Sequence, residues 1–239
     1  MDVKVILGGL AFAIMWSSAF ATARIIVASA PPLLALSLRF FLSGAVAIVI
    51  ARAMGQSWRL SGGLRGPQAR AELNFGLCQN SLNLGLTFVA KQWIEASLAA
   101  IIASSMPLIV AALGWAWRGE RTSPLGVIGL IVGMAGVALI MGTRVSGGAD
   151  PLGIALCLIG ATALAIATLS VRGATGSGNL LMVVGLQMLV GSSALFALAA
   201  TLEVPQVNLT PALAAAFVYQ LFIPGLAATL LWFALVARI

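Results

Sequence analysis

The sequence predicts an all-α polytopic membrane protein, an inverted repeat of five transmembrane helices each (5+5) that stops here after eight spans. Three observations predict it. Only 8% of the 239 residues are charged and 61% are hydrophobic, with a mean hydropathy of +1.10, whereas a soluble domain carries about 25% charged residues. The apolar residues gather into eight runs, each long enough to cross a hydrocarbon core of about 30 Å as a helix. The first three runs also resemble the last three at a nearly constant offset.

The runs are Val3–Thr22, Pro32–Ala51, Ala71–Ala90, Ala96–Trp117, Leu125–Met141, Leu152–Val171, Leu180–Leu202 and Ala212–Val236. The first is free of charge between Lys4 and Arg24 and carries Trp16, Ser17 and Ser18 near its middle. Tryptophan prefers the membrane interface, so at mid-depth its indole N–H needs a partner. Trp16 is therefore either a cavity residue or ordinary helix packing. The second run opens on Pro31 and Pro32 and holds Arg39 well inside it. A central arginine costs roughly 2.5–3.5 kcal/mol on insertion scales. It serves either as a carboxylate anchor or as a structural group paired with backbone carbonyls or snorkelling outward, and the structural role is favoured. The longest connection, Arg52 to Arg70, contains Gly62, Gly63, Gly66 and Pro67 and reads as loop.

The third run is the most polar. At an α-helical 100° per residue, Glu72, Gly76, Gln79, Asn83 and Thr87 share one face, with Asn80 at its edge. Such a face is either the wetted wall of a cavity or interhelical glue, and the cavity is favoured. The fourth run is the centre of the chain. It is uncharged from Ser97 to Trp117, yet Ser104, Ser105, Met106 and Pro107 lie at its middle. Pro107 removes a donor, and a freed carbonyl at that depth needs protein or a water-filled cavity. A break there predicts a pathway. Trp115 and Trp117 at its end form an interfacial belt. Gly129–Gly133 in the fifth run and Gly185–Gly191 in the seventh allow close helix approach. Tyr219, Gln220 and Pro224 give the eighth a polar, kinked patch.

Charge sets orientation. A cytoplasmic N-terminus puts Lys4, Arg52, Arg59, Arg65, Arg70, Arg118, Arg121, Arg172 and Arg238 on the inner side. Lys91 and Arg144 fall on the outer side, with Arg24 at its boundary. This is a strong positive-inside bias, so the net charge of +7 speaks of topology and not of nucleic acid.

The repeat aligns Leu10, Ala13, Ala19, Thr22 and Arg24 with Leu158, Ala161, Ala167, Ser170 and Arg172, a shift of 148 positions (172 − 24). It sets Arg39 opposite Gln187. Five spans is an odd number, so the second copy enters the membrane the opposite way, a transporter signature. The expected division is 1–145 for the first repeat and 146–239 for the second. Counterparts of the fourth and fifth spans are missing, so the sequence is expected to be a shortened or partly visible version of a longer chain.

Four stretches carry a family resemblance: AFAIMWSSAFATAR (Ala11–Arg24), PPLLALSLRF (Pro31–Phe40), ASLAAIIASSMPLIVAALGWAWRGE (Ala96–Glu120) and SPLGVIGLIVGMAGVALI (Ser123–Ile140). The chain resembles the drug/metabolite transporter superfamily, EamA type, and within it the YddG-type exporters of aromatic amino acids. The resemblance implies ten helices in two inverted repeats and export of small metabolites across the inner membrane. The third span is more polar than that family leads one to expect.

The residue types narrow the chemistry. With no histidine in the chain, a Ser-His or histidine-ligated metal mechanism has no parts. Cys78 and Cys157 lie in apolar runs and are expected to be reduced packing residues. No Asp or Glu lies at mid-run. The sequence therefore predicts no enzyme, no cofactor and no metal, but a monomeric carrier in the lipid bilayer for a small-molecule substrate. Trp16, Gln79, Asn83, Ser105 and Tyr219 are the expected substrate-binding residues. Aromatic or other amphipathic amino acids are the substrates the resemblance implies, moved by alternating access as a facilitator. A broad drug or nucleotide-sugar-like transporter and a non-transporting assembly subunit stand as alternatives.

Overall fold

The computed structural model describes residues 3–57, 67–119, 123–171 and 180–236. They form a bundle of eight helical rods, and there is no strand among the described residues. The first two rods are α1 (Val3–Val27) and α2 (Pro32–Ala53). The third is α3 (Pro67–Gly76), a π-helical segment (Leu77–Asn83) and α4 (Leu84–Ala90). The fourth is α5 (Ala96–Ser104) and α6 (Met106–Arg118). Then come α7 (Pro124–Ser146), α8 (Pro151–Val171) and α9 (Leu180–Leu202). The eighth is α10 (Pro211–Gln220), a second π-helical segment (Leu221–Ala227) and α11 (Ala228–Val236). Seven rods are apolar enough over their length to cross a membrane. The third is helical over the expected span but too rich in charged and amide side chains to meet that measure. The chain is a multi-pass membrane protein.

Local chemistry sets the ends and breaks. Ser123 and Thr210 cap α7 and α10, their hydroxyls accepting from Gly126 N and Leu213 N at 3.1 Å each. Pro124 and Pro211 follow, at the one helical position where a missing N–H costs nothing. Gly119 closes α6 at φ 63°, a left-handed turn that suits glycine. The expected break in the fourth rod is present. Pro107 cannot donate to Ala103, and Ser105 answers by turning its hydroxyl onto Ile102 O at 2.6 Å. In the eighth rod Pro224 lies inside the π segment. The wider pairing there replaces the bond that Pro224 cannot give to the Gln220 carbonyl. The first π segment contains no proline, and nothing in the local sequence marks it.

At the centre α2 and α9 run antiparallel along most of their length. Gly44 and Gly185 meet at their crossing: a Cβ on Gly44 would lie 2.9 Å from the Gly185 carbonyl, and one on Gly185 would lie 3.1 Å from the Gly44 carbonyl. Further along the same seam, Ser192 Oγ donates to Ser37 O at 2.9 Å. The two pairs are exchanged by the 148-residue offset, since 44 and 37 map onto 192 and 185. Leu36, Phe40, Val184, Met188 and Leu195 bury the apolar part of this core.

The outer partners mirror each other. α9 receives the first π segment: Asn80 Nδ2 donates to Gln187 O and Ser81 Oγ to Gly191 O, both at 3.0 Å. α2 receives the second, where Ser43 Oγ donates to Leu221 O at 3.1 Å. α8 packs on the third rod and α1 on the eighth. α7 lies against α6, with Leu108 closing on Gly133.

Even the caps are exchanged. α2 begins at Pro31–Pro32 without a side-chain cap of its own. Its Leu33 and Leu34 N–H groups donate to the two carboxylate oxygens of Glu203, just beyond the end of α9, at 2.8 Å each. Met182 N, at the start of α9, donates to Gln56 Oε1, just beyond the end of α2, at 3.1 Å. Glu203→Ala is expected to lower the thermal midpoint in detergent, by about 0.5–2 kcal/mol of stability. Gln56→Ala should cost less, because its cap is uncharged. Equal midpoints for both variants and the parent would show that the caps contribute nothing.

Arg59, Arg65, Arg121, Arg172 and Arg238, which carry much of the expected inward charge, lie outside the described residues.

Candidate functional site

The densest buried polar cluster lies where α1, α2 and the eighth rod meet. Gln220, the last residue of α10, is fully buried. Its amide nitrogen donates to Ala19 O at 2.7 Å and to Thr22 Oγ1 at 2.8 Å. Its amide oxygen accepts from Arg39 Nη1 at 2.7 Å. Thr22 Oγ1 donates in turn to Ser18 O at 3.0 Å, and the Ser18 hydroxyl lies 2.7 Å from the Tyr219 hydroxyl. These bonds satisfy polar groups that are otherwise buried without a partner. Arg39 is 5% exposed, and its guanidinium carbon lies 4.8 Å from the Phe40 ring centroid. Its Nε is buried without a partner. The expected pairing of Arg39 with backbone carbonyls, or a snorkel outward, is therefore corrected. Its acceptor is a side-chain amide on another rod, and the head group stays inside.

On the same side of α1, Phe12 stacks on Trp16 with centroids 5.6 Å apart. Phe12 also meets Trp232 of α11 at 5.2 Å. Phe12 and Trp16 are neighbours on α1 at spacing four. Trp16 is half-buried, as is Tyr219. Tyr219 belongs to the seam between α1 and the eighth rod, and Trp16 borders it through Phe12.

The third rod forms a separate group. The single α-helical face read from Glu72 to Thr87 does not persist, because Leu77–Asn83 is π-helical and turns more slowly. Gly76 and Asn80 face α9, where a Cβ on Gly76 would come 2.8 Å from Gln187 O. Asn83 faces α8 instead, where Gly160 leaves room for it; a Cβ on Gly160 would come 3.0 Å from Asn83 O. Asn80 and Ser81 act as glue. Gln79 differs: its Oε1 is buried with no partner, an acceptor left open in the rod. The Glu72 side chain lies outside the described residues.

The five expected binding residues thus fall in three places. Tyr219 lies in the seam of the first and eighth rods, with Trp16 beside it behind Phe12. Gln79 and Asn83 sit in the first π segment. Ser105 stands at the break of the fourth rod, its hydroxyl turned back on its own helix. No hydrogen bond among the described residues joins any of the five to another.

Two residues were read too lightly from the sequence. Gln220 was noted only as part of a polar patch, although it is the hub of the buried cluster. Lys91 was counted as an outer-side topological charge. It is 2% exposed, with its ammonium 4.6 Å from the Phe20 centroid and 5.1 Å from that of Phe88. Phe88 precedes it by three residues, which places both on one side of the turn, and that spacing was the available clue. Arg24 donates to the carbonyls of Lys91 and Ile94, the latter at 2.9 Å, and so ties α1 to the end of the third rod.

At the ends of these rods an open depression of about 960 Å³ is lined by Ser29, Gln92, Trp93, Glu203, Gln206 and Asn208. The cysteines are free thiols, Cys157 buried and Cys78 half-buried.

Residues 3–142 match the model of the EamA-like transporter family. The uncharacterized transporter YvbV of Bacillus subtilis is 28% identical over 75% of this chain and 57% of its own length. The uncharacterized inner membrane transporter YedA of Escherichia coli K12 is 30% identical over 62% of this chain and 46% of its own. The chain spans about half the length of these curated relatives. A solved crystal structure superposes with a TM-score of 0.68 over 98% of this chain and 79% of that one, at 23% identity, which is a likeness of fold.

Proposed function

Because the chain belongs to the EamA-like transporter family, we propose that it carries small metabolites across the cell inner membrane by alternating access. The two moving halves are the repeats 1–145 and 146–239, with the N-terminus in the cytoplasm. One observation carries this reading. The rods that pack on α2 and α9 both loosen into π geometry at their middle, and the α2–α9 seam repeats its contacts and caps in reverse. Two related halves about one axis are what a rocking mechanism needs. Small residues and side-chain hydrogen bonds at the crossing allow the halves to tilt without stranding backbone groups.

Aromatic or other amphipathic amino acids of the YddG type are the proposed substrates. Trp16 and Tyr219 offer amphipathic aromatic surface, and Gln79, Asn83 and Ser105 offer amide and hydroxyl groups at mid-depth. The described spans carry no acid at their middle that would serve a proton relay, so the carrier is proposed to follow the substrate gradient.

Full-length protein in liposomes tests this, with amino-acid and pH gradients set independently. Aromatic amino acids are expected to equilibrate across the membrane at a rate unchanged when the pH gradient is collapsed. Uphill accumulation that disappears on collapse would overturn the facilitator, and movement of no solute would overturn transport itself. Gln79→Leu and Asn83→Leu should slow uptake more than they lower folded yield; the reverse would make both residues structural.

A further inference from the structure

We propose that Arg39 is the subsite for the carboxylate of the transported solute. The inference rests on the transport reading above and deepens it: the substrate class becomes monocarboxylates, zwitterionic amino acids among them.

A guanidinium buried within the membrane is costly without a paired charge, and the described residues place no acid beside it. Every acid whose side chain is described is engaged elsewhere. Glu203 holds the start of α2, Glu95 pairs with Arg144 at 3.7 Å, and Asp150 caps Leu152 N at 2.8 Å. The groups that reach Arg39 from the packed rods are neutral: Gln220 directly, with Ala19 O and Thr22 behind it.

The head group is nonetheless aimed. Gln220 is held from the far side by two bonds, so its oxygen fixes one edge of the guanidinium before any ligand arrives. The Nε–H, on another edge of the same plane, is buried and unpartnered. Arginine offers five donors in a rigid fork that matches a carboxylate with two parallel bonds. Opposite Nε the eighth rod packs closely at Gly225, where a Cβ would stand 2.9 Å from Gln220 O, 3.0 Å from Ser43 Oγ and 3.8 Å from Nε, so the subsite opens to a carboxylate only when this segment draws back from α2. That rod is π-helical and proline-broken at this point, the kind of segment that recurs at functional sites. A wholly structural arginine needs neither an open donor nor an uncompensated charge.

The test measures thermal unfolding of purified full-length protein in detergent at fixed ionic strength. Acetate, phenylacetate and L-phenylalanine are each titrated against their carboxamides and against chloride. The carboxylates are expected to raise the midpoint of the parent protein, while the amides and chloride do not. In Arg39→Gln the apparent carboxylate affinity should fall about tenfold or more, the loss expected of a charged hydrogen bond. Arg39→Lys, which keeps the charge without the fork, should lie between. If neither variant folds, the comparison on the parent protein still decides. Equal response to carboxylate and amide, no response, an equal response to chloride, or an undiminished carboxylate response in Arg39→Gln each overturns the subsite. Carboxylate binding that depends on Arg39 in a protein that moves no solute would sink the transport reading and leave the subsite standing. Transport with no carboxylate preference would do the opposite.

Discussion

Gly44→Ala is expected to lower folded yield and thermal midpoint, although alanine is the better helix former by about 1 kcal/mol. The added methyl would lie 2.9 Å from the Gly185 carbonyl, 3.1 Å from Met188 Cβ and 3.2 Å from a Leu189 methyl. The nearest of these is backbone, so relief requires α2 and α9 to separate along their seam. Overpacking of this kind costs about 1–3 kcal/mol, which exceeds the propensity gain. Gly129→Ala is the control. Nothing lies within 4 Å of its added methyl, and the change should be neutral or stabilising. Fluorescence-detected size-exclusion profiles after graded heating would separate the two. A Gly44→Ala protein as stable as Gly129→Ala would show that the seam is loose and that the α2–α9 crossing does not organise the bundle.

Gln220→Leu is expected to be the most damaging single substitution in the polar cluster. It removes the acceptor of Arg39 and leaves a buried guanidinium N–H unpaired, a loss of about 1.5–3 kcal/mol for a hydrogen bond to a charged group. It also leaves the Ala19 carbonyl and the Thr22 hydroxyl without their amide donor. Adding Arg39→Met should restore part of the loss, because the remaining site is then apolar on both sides. The thermal midpoints of both single variants and the double form a cycle that isolates the coupling. Additive losses would mean that Arg39 and Gln220 act independently.

The lines along which the sequence succeeded and failed are physical. The break in the fourth rod was legible because Pro107 acts on its own turn: a missing N–H and a steric clash need no tertiary partner. Pro224 marked the eighth rod for the same reason. The π segment at Leu77–Asn83 left no such mark. Its polar residues read as one α-helical stripe, but the wider turn divides them between α9 and α8, and the carbonyls that Asn80 and Ser81 reach lie more than a hundred residues away. Arg39 was seen as costly from its position alone. That its partner would be Gln220, and not a carbonyl or the interface, depended on which rod came to lie beside α2.

The sequence by itself determined the class: apolar runs of membrane length, their number, their charge bias and their repeat follow from composition and local chain order, which solvent transfer reads directly. Only the tertiary structure decided which polar groups are satisfied. It joined Glu203 to the start of α2, sank Lys91 between Phe20 and Phe88, and left Arg39 Nε and Gln79 Oε1 open. The reason is that a hydrogen bond in a dry interior is set by atoms within about 3 Å, and those neighbours are chosen by how the rods cross, not by their order along the chain.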